Sequence, residues 1–255
     1  MELEYDGTGL HGWAKQDGLP TVEGCLEGAF RTVLGSAPVL TVAGRTDAGV
    51  HARRQVVSLG LPPATDLSRL VASLNALTPP GIAVMRIEPT AEGFDARKGA
   101  LSRTYRYFLC AAPMVSPFWS RYSWHTLSRP DLGLLRAAAE VTLGRHGFSA
   151  FTPSETEHVF FLRTIYRCAW RRVPGERGML SLEIEADAFL RHMVRALVGT
   201  MLEVGEGKRE LESYRHLLGG GAREAAGPTA PAHGLFLWDV KYGVRVPTQE
   251  FEGSE

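Results

Sequence analysis

The sequence predicts an α+β fold, and three observations carry that prediction. Strand-like segments fall in adjacent runs as well as alternating with helices, which argues against a doubly wound parallel sheet. No self-similarity at a fixed period runs along the chain, which excludes solenoids and propellers. A length of 255 residues with 44% hydrophobic and 22% charged residues supplies enough chain to bury a core and excludes disordered and fibrous classes.

The chain begins almost inside a first strand. Thr21 to Leu34 places Val22, Leu26, Phe30 and Val33 on one helical face, and Gly35 follows as a stop. The short apolar runs Val39 to Ala43 and Gln55 to Leu59 suit strands, with a polar, glycine-bracketed segment between them. Asp66 or Ser68 caps a helix running to Leu77, which Thr78-Pro79-Pro80-Gly81 ends. Ile82 to Ile87 and Ser102 to Cys110 are the next strands. Asp131 to Thr142 is helical, with Leu134, Leu135, Ala138 and Val141 grouped on a face. Thr164 to Val173 and Met179 to Ala186 read as neighbouring strands joined by the turn Pro174 to Gly178. Phe189 to Val204 has the strongest helical signal, Glu210 to Leu218 is a short helix, and Leu235 to Tyr242 closes as a strand. We place a domain boundary near residue 103, giving halves 1–103 and 104–245 and an acidic tail over 246–255.

Composition narrows the function classes. The N-terminus, Met1-Glu2-Leu3-Glu4-Tyr5-Asp6, is acidic and lacks the apolar core of a secretion signal. The longest apolar candidate, Leu190 to Val204, is interrupted by Arg191, His192 and Arg195, so no membrane partner is expected. Cys25, Cys110 and Cys168 form no CxxC pair and suit a reducing, cytoplasmic setting. The eight histidines show no metal-ligand spacing. Neither Gly7-Thr8-Gly9 nor Gly219-Gly220-Gly221 has the context of a phosphate cradle, and no GxSxG elbow is present. The 28 basic residues balance 28 acidic ones, which excludes a promiscuous polycation. Of those 28, however, 24 are arginine, the side chain suited to forked phosphate contacts and base stacking.

Three features carry chemistry. Gly44-Arg45-Thr46-Asp47-Ala48-Gly49-Val50-His51 is a segment whose glycines permit a sharp turn that pushes the Asp47 carboxylate out from a strand end. Arg195 is embedded among Val194, Leu197, Val198, Met201 and Leu202, where a guanidinium needs an anionic or multiply hydrogen-bonding partner, or else snorkels to a rim. An ion pair with Asp47 satisfies both residues at once. In Arg103-Thr104-Tyr105-Arg106-Tyr107, alternation sends Arg103, Tyr105 and Tyr107 to one face, the pairing of rings and arginines that nucleic-acid binding uses. Further arginines gather in the second half at 163, 167, 171, 172, 191 and 195.

These motifs, taken in order, resemble the tRNA pseudouridine synthase A family over nearly the whole chain. The opening Tyr5-Asp6-Gly7-Thr8 with Gly12-Trp13 is similar to the family's first motif, and Gly44 to His51 to its catalytic signature. Phe94-Asp95-Ala96-Arg97, Tyr105-Arg106-Tyr107, His192-Met193-Val194-Arg195 with Val198-Gly199, and Ala230-Pro231 with Gly234-Leu235 follow in the family's order. Leu10 and Ala14 depart from it, standing where an aromatic residue and a glutamine are usual.

The resemblance implies a pseudouridine synthase fold of two α+β halves, with mainly antiparallel sheets flanking a basic cleft. It implies isomerisation of uridine at positions 38 to 40 of the tRNA anticodon stem-loop, by a homodimer. Asp47 would be the nucleophile, Tyr105 the ring that stacks on the target uracil, Arg195 the partner of Asp47, and Arg45 the residue that displaces the target base. The expected RNA contacts are Arg45, His51, Arg97, Arg103, Tyr105, Arg191 and His192. The reaction gains and loses no atoms, so no cofactor and no metal is expected. Two other readings stay open on the residues alone: a carboxylate-dependent nucleoside or glycoside hydrolase, and a non-catalytic tRNA-binding protein.

Overall fold

Alternating apolar and polar residues build the strands of this molecule into one sheet. The structure, a computed structural model, describes residues 1–156 and 159–243; the expected acidic tail lies outside the described residues. In chain order the strands are β1 (Glu2–Tyr5), β2 (Thr41–Val42), β3 (His51–Ser58), β4 (Ile82–Arg86), β5 (Ser102–Cys110), β6 (Trp124–His125), β7 (Gly144–Gly147), β8 (Leu162–Arg172), β9 (Met179–Ala186) and β10 (Leu235–Lys241). The helices are α1 (Val22–Leu34), α2 (Leu67–Leu77), α3 (Leu132–Val141), α4 (Met193–Gly205) and α5 (Leu211–Leu217).

The ten strands form a single sheet in the order β4-β1-β3-β10-β5-β9-β8-β7, with β2 added on β3 and β6 on β5. Pairing is antiparallel except between β10 and β3 and between β5 and β6. The mainly antiparallel α+β architecture is therefore the expected one. The expected boundary at residue 103 falls inside β5, and the sheet runs unbroken across it.

Helix ends follow the local chemistry. Thr21 Oγ1 accepts from the Gly24 N–H at the start of α1, and Gly35 ends it in the left-handed region at φ 79°. Asp66 caps α2 by accepting from the Arg69 N–H, and Asp131 caps α3 by accepting from the Gly133 and Leu134 N–H groups. One face of the sheet carries the main core, in which Leu3, Val57, Tyr107, Leu182, Ile184 and Leu237 are all fully buried. Its other face bears Arg106, whose guanidinium lies 4.1 Å from the Trp238 ring centroid and pairs with Glu183 at 2.6 Å. Glu183 also holds Arg167 at 2.9 Å, so two arginines of the second half are neutralised within the sheet.

Two differences from the sequence reading bear on the site. The strand expected over Gln55 to Leu59 begins four residues earlier, at His51, because β10 supplies a partner there: Phe236 pairs with His51 and Leu237 with Ala52. The helix expected from Phe189 begins only at Met193. His192, at φ 60°, is the only non-glycine residue in the left-handed region among the described residues, and that turn stops the helix from extending backwards. Eleven of the thirteen residues of α4 are buried, as its apolar circumference requires.

Candidate active site

The segment between β2 and β3 turns where Val50 N–H donates to Asp47 O at 3.1 Å. The two glycines of the motif do different work. Gly49 takes φ 77°, a conformation that L side chains rarely adopt, whereas Gly44 lies outside that region. Gly44 instead passes over Tyr105: a Cβ there would stand 3.7 Å from the tyrosine hydroxyl.

A buried polar network holds this loop from beneath. Gln55, fully buried on β3, donates from Nε2 to Gly44 O at 2.7 Å and to Tyr5 Oη at 3.2 Å. The Tyr5 hydroxyl lies 2.8 Å from Thr46 Oγ1. Gln55 donates to the Tyr5 hydroxyl, whose hydrogen bond with Thr46 joins the two into one network. Burial pushes the Tyr5 phenol up to about 12, so it stays protonated. The opening motif closes over the other side: Trp13 N–H donates to Thr46 O at 3.0 Å and Gly49 N–H to Leu10 O at 3.1 Å. Gly12 is needed because a Cβ would stand 2.7 Å from Thr46 O. Tyr5, Gln55 and Gly12 thus set the loop's shape. A glutamine on an otherwise core-facing strand is the sequence signal that points to this brace.

Arg195 lies in the first turn of α4 and reaches the loop. Its Nη1 is 3.3 Å from Asp47 Oδ2, and its Nε donates to Ala230 O at 2.7 Å. The two side chains are largely withdrawn from water, at 16% and 26% exposure, where a charge pair is screened less than at the surface. The pairing expected from the sequence is present. Ala230 N–H returns a bond to Arg195 O at 3.1 Å, so the segment before β10 and the start of α4 hold each other. This approach depends on Gly199, one turn along α4, since a Cβ there would overlap Pro228 O and stand 2.9 Å from its carbonyl carbon. His192 Nε2 stands 3.5 Å from the same Asp47 oxygen. Burial first, and the nearby arginines after it, lower the His192 pKa against the opposing pull of Asp47.

Tyr105 sits on β5, separated from β3 by β10 alone; Leu237 pairs with it across the sheet. Its ring is 8% exposed and meets Phe189 edge-on, with centroids 5.1 Å apart and planes at 84°. Burial drives its hydroxyl pKa well above the ordinary phenol value. At neutral pH it is a neutral ring bearing a proton.

The remaining expected contacts divide into two groups. Arg45, Arg97 and Arg191 are exposed, and their side chains have no hydrogen bond or ion pair among the described residues. His51 and Arg103 turn inward. His51 is 1% exposed, stacked on Phe236 at 4.5 Å, accepts from Gly7 N–H at 2.9 Å through Nδ1 and faces His233 O through Nε2 at 3.1 Å. That pattern is a neutral ring with its proton on Nε2; burial lowers its pKa despite Asp6, 3.0 Å from Nδ1. Arg103 spends its donors on backbone carbonyls. In the structure, then, the polar groups of both His51 and Arg103 are engaged within the protein. Both residues hold loops, through contacts that the sequence does not announce. Among the described residues, no group of three or more His, Cys, Asp and Glu side chains is placed to hold a metal ion.

An arginine paired with an aspartate on a loop that passes over Tyr105 stands beside close similarity to known proteins. Residues 138–243, which include Arg195, match the tRNA pseudouridine synthase family. A tRNA pseudouridine synthase A of Chlorobium chlorochromatii is 38% identical over 95% of this chain and 98% of its own length. The chain belongs to the tRNA pseudouridine synthase A family. A Chlorobaculum tepidum relative of the same name is 40% identical over 95% of this chain and 96% of its own, and one from Frankia casuarinae is 41% identical over 95% and 88%. The mixed fold with its mostly antiparallel sheet is consistent with membership of the tRNA pseudouridine synthase A family. Among solved structures, a Cbf5-Nop10-Gar1 complex aligns with a TM-score of 0.34 at 11% identity, covering 80% of this chain and 54% of that one, and carries no argument.

Proposed function

We propose that this protein converts uridine to pseudouridine at positions 38, 39 and 40 of the tRNA anticodon stem-loop, with Asp47 as the nucleophile. As a family member it is an enzyme, an isomerase that makes pseudouridine in tRNA. The single observation that carries the finer reading is the Asp47–Arg195 pair at 3.3 Å, formed by the two residues that the signature motifs single out.

The reaction breaks the bond from ribose C1′ to uracil N1, turns the base, and joins C1′ to C5. A carboxylate attacking either the sugar carbon or uracil C6 splits that change into easier steps. Arg195 keeps Asp47 aimed, because its own direction is set by the Ala230 carbonyl. Tyr105 supplies an apolar surface that retains the freed base and excludes water, and its protonated hydroxyl is a donor, not a base. Reaching a stacked uridine requires flipping it, which costs a few kcal/mol, roughly, and contacts from Arg45, Arg97 and Arg191 to the RNA offset that cost. The exchange balances with no redox partner or group donor, so we expect no cofactor. We further propose that the two halves of the sheet flank the RNA as a basic cleft and that the protein acts as a homodimer in the cytoplasm. Among the described residues no helix is long and apolar enough to cross a membrane.

A hydrolase would set a second acid across the scissile bond. The groups that meet Asp47 Oδ2 among the described residues are the Arg195 guanidinium and the His192 imidazole, neither of them a carboxylic acid. The test is Asp47→Asn, purified and incubated with unmodified tRNA, with pseudouridine mapped by carbodiimide treatment and primer extension. We expect product to vanish while tRNA binding persists; turnover by this variant refutes the assignment. Free uracil released by the wild-type protein would favour the hydrolase, and neither product would favour a binding protein.

A further inference from the structure

Arg103 occupies an unusual position for a residue on an aromatic, arginine-rich strand. A guanidinium has five N–H donors in a fixed plane. Here they meet four backbone carbonyls and no carboxylate. Nε and Nη2 grip Ala43 O at 3.2 and 2.9 Å. Nη1 donates to Ala100 O at 3.3 Å and to Asp187 O at 2.8 Å, and Nη2 also donates to Arg97 O at 2.6 Å. Every donor is used.

The four carbonyls belong to three segments that meet nowhere else in sequence. Ala43 is the last residue before the Gly44–His51 loop, so the bidentate grip holds that loop at its root. Asp187 opens the segment that carries Phe189, Arg191 and His192 into α4 and Arg195. Arg97 and Ala100 belong to the loop that presents the exposed Arg97 side chain. Arg103 itself is two residues from Tyr105 on β5, and the sheet fixes it there through pairing with Ala186 on β9 and Val240 on β10. One planar group therefore references the loop of Asp47, the approach to Arg195 and the strand of Tyr105 to one another.

We propose that Arg103 is a positioning residue that sets Asp47 against Arg195, and that it does not contact RNA. Its positive charge suits this work because each carbonyl presents a partial negative charge, and a charged donor binds it more strongly than a neutral one does. A lysine cannot replace it: three donors radiating from one point do not reach four carbonyls spread around a plane. Gln55, which donates to the adjacent Gly44 O, completes the clamp on the loop root. The proposal rests on the reading of Asp47 as nucleophile.

The experiment compares Arg103→Lys, Arg103→Met and Asp47→Asn in the full chain with an unmodified tRNA transcript, following kcat, KM and tRNA affinity. Displacement of the loop by about 1 Å lowers kcat by about 100-fold in both Arg103 variants. The tRNA Kd stays within about threefold, since no phosphate contact is lost. In Arg103→Ala, millimolar guanidinium restores part of kcat and methylammonium does not. Weakened tRNA binding with unchanged saturating kcat and a salt slope reduced by about one would identify a phosphate contact and overturn the proposal. Arg103→Lys with wild-type kcat would overturn it as well. Thermal melting checks folding; if the methionine variant does not fold, the lysine variant decides by the same split, and failure of both to fold assigns Arg103 to the fold alone and overturns it. An active Asp47→Asn defeats the nucleophile reading, whereas an inactive one beside a fully active Arg103→Lys defeats this proposal only.

Discussion

Substituting Gly199 with alanine tests how the site is assembled without touching any reacting group. Alanine is the better helix former by roughly 0.5–1 kcal/mol, so a helix considered alone would gain stability. In the protein, the new methyl group would overlap Pro228 O and stand 2.9 Å from Pro228 C. Carbon atoms rest about 3.5–4.0 Å apart, so the 228–230 segment must retreat by about 1 Å. It is poorly placed to do so. Gly227 N–H donates to Thr200 Oγ1 at 3.0 Å, and Ala230 is bonded to Arg195 through both its N–H and its carbonyl. Overpacking of this kind costs about 1–3 kcal/mol, of which the helix propensity returns a part. The net loss of up to about 2.5 kcal/mol lowers Tm by up to about 10 °C for a chain of this size. The same displacement moves the carbonyl that aims the Arg195 guanidinium, and a misplacement of about 1 Å lowers kcat by about 100-fold. Differential scanning fluorimetry and single-turnover pseudouridine formation measure the two effects. If Gly199→Ala raises Tm and keeps kcat, close packing of α4 on this segment does not aim Arg195, and the reasoning fails.

Three other outcomes follow from the same geometry. Arg195→Met leaves Asp47 without its guanidinium and Ala230 O without its donor; kcat falls by about 100-fold or more while the fold persists, read by steady-state kinetics and circular dichroism. Gln55→Leu strands the half-buried Gly44 carbonyl and removes a donor from the buried Tyr5 hydroxyl, costing about 1–3 kcal/mol in urea denaturation. Acid lowers stability in a defined window: His51 and His192 have folded-state pKa values below 6.5, so between those values and 6.5 the unfolded chain binds protons that the folded chain refuses. Stability therefore falls as pH drops below about 6.5 and levels off once the folded-state values are passed. His51→Asn flattens that slope in urea titrations at successive pH values, and an unchanged slope would contradict the neutral, buried ring.

Much of the fold is legible along the chain because its signals are local. Asp66 and Asp131 announce α2 and α3 by their capping side chains, and Gly35 ends α1 by its backbone freedom. β2 falls within the expected run Val39 to Ala43, whereas the two-residue β6 and the four-residue β7 are not legible, because so few residues carry no period and exist only through a neighbour. The start of β3 at His51 is of the same kind: the residues look like loop until β10 pairs with them. The start of α4 fails differently. Residues 189–192 have helical composition, but the turn leading from β9 requires His192 in the left-handed region, a tertiary demand that overrides propensity.

By itself the sequence determined which residue types stand out chemically, and the order of its motifs carried the family resemblance. An aspartate in a glycine-bracketed turn, an arginine in an apolar helix and a tyrosine between arginines each carry a chemical anomaly visible without coordinates. Only the tertiary structure decided which arginines serve the site. Arg45, Arg97 and Arg191 remain exposed; Arg106 and Arg167 are spent on Glu183; Arg103 is spent on four carbonyls. A guanidinium has the same charge in every one of these places. What distinguishes them is which acceptors the fold brings within hydrogen-bonding distance, and those acceptors lie from 3 to 84 positions away along the chain.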